Sequence, residues 1–241
     1  METLYLLKLG DDGWGDQLLS GLWITLKLAL TSLPIGLTLG FLVATVLMSR
    51  VTALKALAIV YTTTLRGLPE LLTLFIIYHG AGMLLRQVLN WFNPDIGYIE
   101  LSPFTAGVVA LSLVFAAYSA EVIRGAWQAL DKGQIEAAHA YGFTPWQVFR
   151  LIELPQIWRI ALPGLGNLWI NLIKDTALVS VIALNDLMRM AGIAVGATKQ
   201  PFTFYLTVCL MYWAVCMLFE VLINRAEMRA NRGVKTLGAQ A

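Results

Sequence analysis

Five stretches of this chain are long and apolar enough to cross a lipid bilayer, and no other feature limits the fold as strongly. A spanning helix needs about 20 mainly apolar residues. The stretches cover roughly residues 18–48, 57–85, 104–123, 161–187 and 202–223. None alternates apolar and polar residues between turn signals, so a β-barrel is excluded. Of the 241 residues, 58% are hydrophobic and 13% charged, with a mean hydropathy of +0.70. Soluble domains carry about 25% charged residues, so soluble, disordered and nucleic-acid-binding classes fall away. The net charge of +2 implies no polyanion partner. The reading is an all-α integral membrane protein, a single domain over 1–241 with five transmembrane helices.

The first span follows an acidic lead (Glu2, Asp11, Asp12, Asp16) and no small-residue cleavage site comes after it. It therefore reads as an uncleaved span. Placing the amino terminus outside puts ten basic residues in inner segments, among them Arg50, Arg124, Arg150, Arg159, Arg225 and Arg229. Four remain outside: Lys8, Arg86, Arg189 and Lys199. The positive-inside rule thus sets the amino terminus outside and the carboxyl terminus in the cytoplasm. Trp91, Phe92 and Tyr98 in the outer loop 90–101 suit an interfacial anchor. Cys209 and Cys216 lie two turns apart on one helix, about 10 Å, too far for a disulfide. Two histidines without a CxxC spacing argue against zinc, haem or iron–sulfur chemistry, so no metal site is expected. No phosphate loop or nucleophile–base constellation is present, so catalytic residues are not expected either.

The inner loop 124–160 is longer than a turn requires and carries helix signals. Asp131 with Gln134 three residues on reads as a capping pair for a helix ending near Tyr141. Gly142 suits the left-handed position after it. Thr144-Pro145-Trp146-Gln147 then restarts a helix, with Thr144 and Gln147 as a capping box and Pro145 at the first helical position. Two short helices with a sharp break, lying beneath the membrane, are expected.

Intramembrane polar residues are functional candidates because a charge at mid-bilayer costs about 2.5–3.5 kcal/mol on insertion scales. Asn167, Asn171, Lys174 and Asp175 share one helical stripe of the fourth span. Asn167, Asn171, Asp175, the adjoining Thr176, and Glu70 on the second span are the candidates for a substrate path. The competing reading of Asp175 is a structural one, satisfied by Lys174 or a neighbouring helix. Arg66 and Glu70, four residues apart, can pair on one face, with Pro69 between them freeing a carbonyl. Glu121 and Arg124 read as a structural ion pair that supports the loop.

Within that loop, Glu136-Ala137-Ala138, Gly142 and Ile152-Glu153-Leu154-Pro155 follow the spacing of the EAA signature of ATP-binding-cassette (ABC) importer permeases. Leu65-Arg66-Gly67-Leu68-Pro69-Glu70, Ala120-Glu121-Val122-Ile123-Arg124-Gly125 and Leu162-Pro163-Gly164-Leu165-Gly166-Asn167 extend the likeness. So do Lys174-Asp175-Thr176-Ala177-Leu178-Val179-Ser180 and Pro201-Phe202. Together the chain resembles, over about residues 21 to 232, the polar amino-acid uptake branch of these permeases, of the histidine and arginine type.

The resemblance implies the type I importer permease fold with a cytoplasmic coupling helix. Glu136, Ala137, Ala138, Gly142, Leu154 and Pro155 would then serve ATPase coupling. It implies two ATPase subunits below, a solute-binding protein above, and a homologous second permease, with a heterodimer favoured over a homodimer. No cofactor is expected on this chain; ATP and Mg belong on the partner ATPase. The expected function is ATP-driven uptake of a polar, basic amino acid across a bacterial cytoplasmic membrane. An ion-gradient-driven secondary transporter is the alternative, disfavoured because no repeat is visible.

Overall fold

The computed structural model describes residues 6–10, 13–89 and 102–232. The described residues are helical or connecting, with no strand among them. Helix α1 is Gly15–Met48, α2 Thr52–Gly67, α3 Glu70–Leu89 and α4 Pro103–Gln128. Two short helices follow, α5 at Lys132–Ala140 and α6 at Pro145–Val148. A wide turn, Phe149–Glu153, joins α6 to α7, Leu154–Asp175, and a tight 3-10 run continues it through Thr176–Ile182. Helix α8 is Leu187–Thr198 and α9 is Pro201–Ala230. The outer-loop anchor residues Trp91, Phe92 and Tyr98 lie outside the described residues.

Four continuous helical stretches are long and apolar enough to cross a membrane: Gly15–Met48, Pro103–Gln128, Pro145–Ile182 and Pro201–Ala230. The expected continuous second span, 57–85, is instead two helices, α2 and α3. Pro69 has no N–H to continue the ladder and pushes the residue before it into extended backbone. Leu68 sits at φ −92°, ψ 144°. Its N–H closes α2 on the Thr64 carbonyl at 3.1 Å, and the Pro69 carbonyl opens α3 by accepting from Thr73 N–H at 3.1 Å.

The expected fourth span, 161–187, also departs from one regular helix. Its α-helical part ends at Asp175 and the 3-10 run ends at Ile182, followed by Ala183 at φ +67°. Asp186 then starts α8, its Oδ1 accepting from Arg189 N–H at 3.0 Å.

Helix α4 is the centre of the bundle: its most apolar stretch is largely buried, whereas that of α9 is almost wholly exposed. It packs most extensively on α1. In a bilayer apolar side chains gain little by leaving lipid, so helices associate where small residues let backbones approach. Gly36 and Gly40 supply that face on α1. A Cβ on Gly36 would meet Phe115 Cδ1 and the Ser112 carbonyl at 2.9 Å, and one on Gly40 would run into Ser119 Oγ. Ser112 Oγ crosses the contact to donate to the Ser32 carbonyl at 3.2 Å.

Three apolar clusters run along the bundle. One at the α5–α6 end holds Leu47, Ile123 and Ile157; a central one holds Leu28, Phe115, Trp169 and Ile173; the third holds Leu18, Leu187 and Phe204.

Replacing Gly40 by Leu forces α1 from α4, and such overpacking costs about 1–3 kcal/mol. The thermal unfolding midpoint of the detergent-solubilised protein falls clearly. Gly192→Ala, which has open space for its Cβ, leaves that midpoint nearly unchanged.

Candidate functional site

Two regions gather the residues that the sequence singled out, one in the inner loop and one inside the bundle. In the loop, Asp131 Oδ1 accepts from Gly133 N–H at 2.8 Å and caps α5. Gln134 does not reach back to complete a capping box. Its Oε1 accepts from Gln156 Nε2 at 2.9 Å and ties α5 to the foot of α7. Helix α5 ends in a paired C-terminal closure: Phe143 N–H bonds the Ala138 carbonyl at 3.1 Å and Gly142 N–H the His139 carbonyl at 3.0 Å. That closure needs a left-handed residue, and Gly142 supplies it at φ +83°.

Thr144 and Gln147 form a reciprocal capping box with Pro145 in the first turn. The second short helix runs on into α7 through the widened turn Phe149–Glu153. It is the foot of the stretch Pro145–Ile182. Pro155 lacks the N–H that an unbroken α-ladder would use, and the chain widens just before it: Leu154 N–H reaches five residues back to the Phe149 carbonyl.

Glu136 and Ala137 are exposed on α5 while Ala138 is buried beneath them. Leu154 is half-buried and Pro155 exposed. Around the bend, Tyr141, Trp146 and Leu151 present 86%, 65% and 60% of their surfaces. Phe149 supports this face from below, its ring 5.5 Å from Trp127 and 5.7 Å from Trp146. The aromatic support was not recognised from sequence, because Trp127 and Phe149 belong to different elements.

Inside the bundle, α3, α4 and α7 line a partly open cavity of about 220 Å³. Its polar lining is Glu70 from the first turn of α3, Tyr118 from α4, and Asn171 and Asp175 from α7. The Asp175 carboxyl is within hydrogen-bonding reach of Glu70. Leu74, Leu111, Val114, Phe115, Leu172 and Leu178 provide apolar walls. Two carboxyls, an amide and a phenol between aliphatic walls can hold a cation on an aliphatic stem.

The other members of the expected stripe go elsewhere. Asn167 is exposed and outside the lining. Lys174 lines a separate groove with Ala177, Tyr205 and Tyr212. Thr176 is fully buried, its hydroxyl donating to the Ile173 carbonyl at 2.6 Å. Thr176 therefore does not line this cavity; it lies about 100° round the helix from Asp175, on the packed side.

The expected Arg66–Glu70 pair is also replaced. The break at Leu68–Pro69 separates the two side chains. Arg66 Nη1 stands 3.7 Å from Glu121 Oε1, and its guanidinium lies over the Tyr118 ring, 5.7 Å from the centroid. Arg124 meets the other oxygen of Glu121 at 2.6 Å through Nη2 and 2.8 Å through Nε. Thr62 Oγ1 donates to Glu121 Oε1 at 3.2 Å. Glu121 is thus shared by two arginines and a threonine from two helices. Tyr118 was absent from the sequence candidates; its signal is the helical spacing of Leu111, Val114, Phe115 and Tyr118 on one face. Among the described residues no cluster of His, Cys, Asp and Glu is arranged to hold a metal ion.

Residues 36–232 match the family described as "binding-protein-dependent transport system inner membrane component". The chain is 44% identical over 233 residues to the nopaline transport system permease protein NocQ of Agrobacterium fabrum, covering 97% of this chain and 99% of the relative. It is 37% identical over 226 residues to the arginine ABC transporter permease protein ArtQ of Escherichia coli K12, covering 89% and 95%. Among solved structures, an amino acid ABC transporter crystallised with histidines superposes with a TM-score of 0.77 at 36% identity, over 90% of this chain and 95% of that one.

Substituting Thr144 with Ala removes one half of the capping box, worth about 1 kcal/mol. Amide exchange at Trp146 and Gln147 quickens several-fold, read by hydrogen–deuterium exchange, while exchange in α4 is unaltered.

Proposed function

This chain belongs to the binding-protein-dependent transport system inner membrane component family, and on that premise we propose that it conducts a basic amino acid through the cavity between α3, α4 and α7. As a family member it is the membrane-spanning permease subunit of an ATP-driven ABC importer of amino acids. ATP hydrolysis lies on a separate subunit, and the transporter also takes a solute-binding protein. Membership replaces the ion-gradient alternative. ATP and Mg bind on the partner ATPase in this reading, with no cofactor on this chain.

The single observation that carries the substrate proposal is the pairing of Glu70 and Asp175 across one cavity, with Asn171 and Tyr118 beside them. Carboxylates in a low-dielectric, partly enclosed site bind a cation strongly, because charge-assisted hydrogen bonds there are the strong ones. The aliphatic walls suit the methylene stem of an arginine-like molecule. Relatives named for arginine and nopaline transport support the same class, since both compounds carry a guanidinium on a short methylene chain.

The exposed face of Glu136, Tyr141 and Trp146 is the docking surface for the ATPase. Close approach is allowed by Ala137, and the bend by Gly142. Leu154 and Pro155 set the widened turn that joins this face to α7, so a push on the loop reaches Asp175 along one continuous helix. The excess of basic residues on the loop side supports an external amino terminus and a cytoplasmic carboxyl terminus in a bacterial inner membrane. A homologous permease completes the path, a heterodimer being favoured by the likeness to the Q-type chains.

Asp175→Asn and Glu70→Gln each weaken arginine binding by about 10- to 100-fold, the scale of a lost hydrogen bond to a charged group. Binding-protein-dependent uptake by the assembled transporter in vesicles measures it. Unchanged apparent affinity in both variants would reject the cavity as the cation site. Gly142→Val, strained at positive φ, reduces ATPase recovered with the tagged permease, quantified by mass spectrometry.

A further inference from the structure

Helix α4 runs from Pro103 toward the loop, so each residue beyond Tyr118 lies about 1.5 Å nearer the loop end. Glu121 and Arg124 therefore lie on the loop side of Tyr118, a residue of the cavity lining. Helix α2 starts at the loop end too, where Ala58 packs with Leu47 and Ile123. Arg66 closes α2 and Glu70 opens α3 beyond the break, so Arg66 lies on the loop side of the cavity carboxyls. Its guanidinium rests on Tyr118, a lining residue, and its side chain is still 44% exposed. Glu121, only 19% exposed, holds Arg66 at 3.7 Å and Arg124 at 2.6 Å.

One carboxylate shared by two guanidiniums leaves net positive charge beneath a cavity lined by two carboxyls. A cation in the cavity is attracted by Glu70 and Asp175 and repelled from below. The looser of the two contacts of Glu121 is the one to Arg66, the arginine nearer the cavity.

We propose that Arg66, seated on Tyr118 and held by Glu121, is a charge-selective floor that stops a cationic substrate from leaving the cavity toward the loop end until α4 and α2 move apart. Arg66 is thereby a specificity-determining residue for the direction of transport, acting through its charge and not by contact with the resting substrate. Glu121 is the counter-ion that positions it, and its second arginine, Arg124, lies one turn nearer the loop that takes the ATPase. The proposal rests on the cation-cavity reading above.

The test uses the complete transporter, permeases with ATPase and binding protein, in vesicles preloaded with labelled arginine or with citrulline, its neutral isostere. Efflux is followed without ATP. Arg66→Gln raises arginine efflux about tenfold, the scale of removing one like charge at close range, and leaves citrulline efflux unchanged. Arg66→Lys keeps the charge and leaves both at the wild-type rate.

Equal acceleration of both solutes in Arg66→Gln would mean loosened packing and overturn the proposal; so would no acceleration in an assembled complex. If Arg66→Gln fails to assemble, Tyr118→Leu, which removes the seat of the guanidinium, is judged by the same arginine-to-citrulline ratio. Arginine binding that survives Asp175→Asn and Glu70→Gln unseats the cavity reading and the floor together. Binding lost in those variants, with efflux unaltered in Arg66→Gln, removes the floor alone.

Discussion

The bilayer core offers no water to an unpaired backbone group, so a helix can break at membrane depth only where protein covers the break. Helix α4 supplies that cover. The interruption at Leu68–Pro69 and the passage from α to 3-10 winding at Asp175–Thr176 belong to segments that pack against it. Each break delivers a carboxyl, Glu70 at the start of α3 and Asp175 at the end of α7, into the same cavity. The burial of α4 and the existence of the polar cavity therefore have one cause.

Close packing of α1 on α4 is what makes α4 able to do this. Gly36 and Gly40 bring the two backbones together, and the face of α4 at Ser112, Ala116 and Ser119 is correspondingly small. The larger Phe115 abuts Gly36 of α1 and, with Tyr118, also lines the cavity. At the loop end, the same helix places Glu121 where arginines from α2 and its own next turn converge. One helix thus links the polar cavity, the ion cluster and the inner loop.

Much of the loop was legible because its signals are local. Thr144, Pro145 and Gln147 specify a helix start within four residues, and Gly142 specifies a left-handed bend, whatever the rest of the chain does. Gln134 was misassigned for the opposite reason: its partner, Gln156, comes from a distant part of the chain and competes successfully with the local cap. Asp175 and Asn171 were readable as one stripe because α7 is regular up to that point. Thr176 was named as their neighbour and not by helical spacing, which turns it about 100° away from Asp175 and into the packing.

The number of apolar stretches, the helical class, the Thr144–Gln147 capping box, the bend at Gly142 and the membership signature were determined by the sequence alone. They depend on hydropathy and on spacings of a few residues, which no tertiary contact can alter. Only the tertiary structure decided which charges meet. Arg66 and Glu70 have ideal spacing for a pair on an unbroken helix, yet the proline between them sends one to Glu121 and the other to Asp175. Arg66 meets a counter-ion and Glu70 a second carboxyl in the same cavity, and that choice is made by helices far apart in the chain.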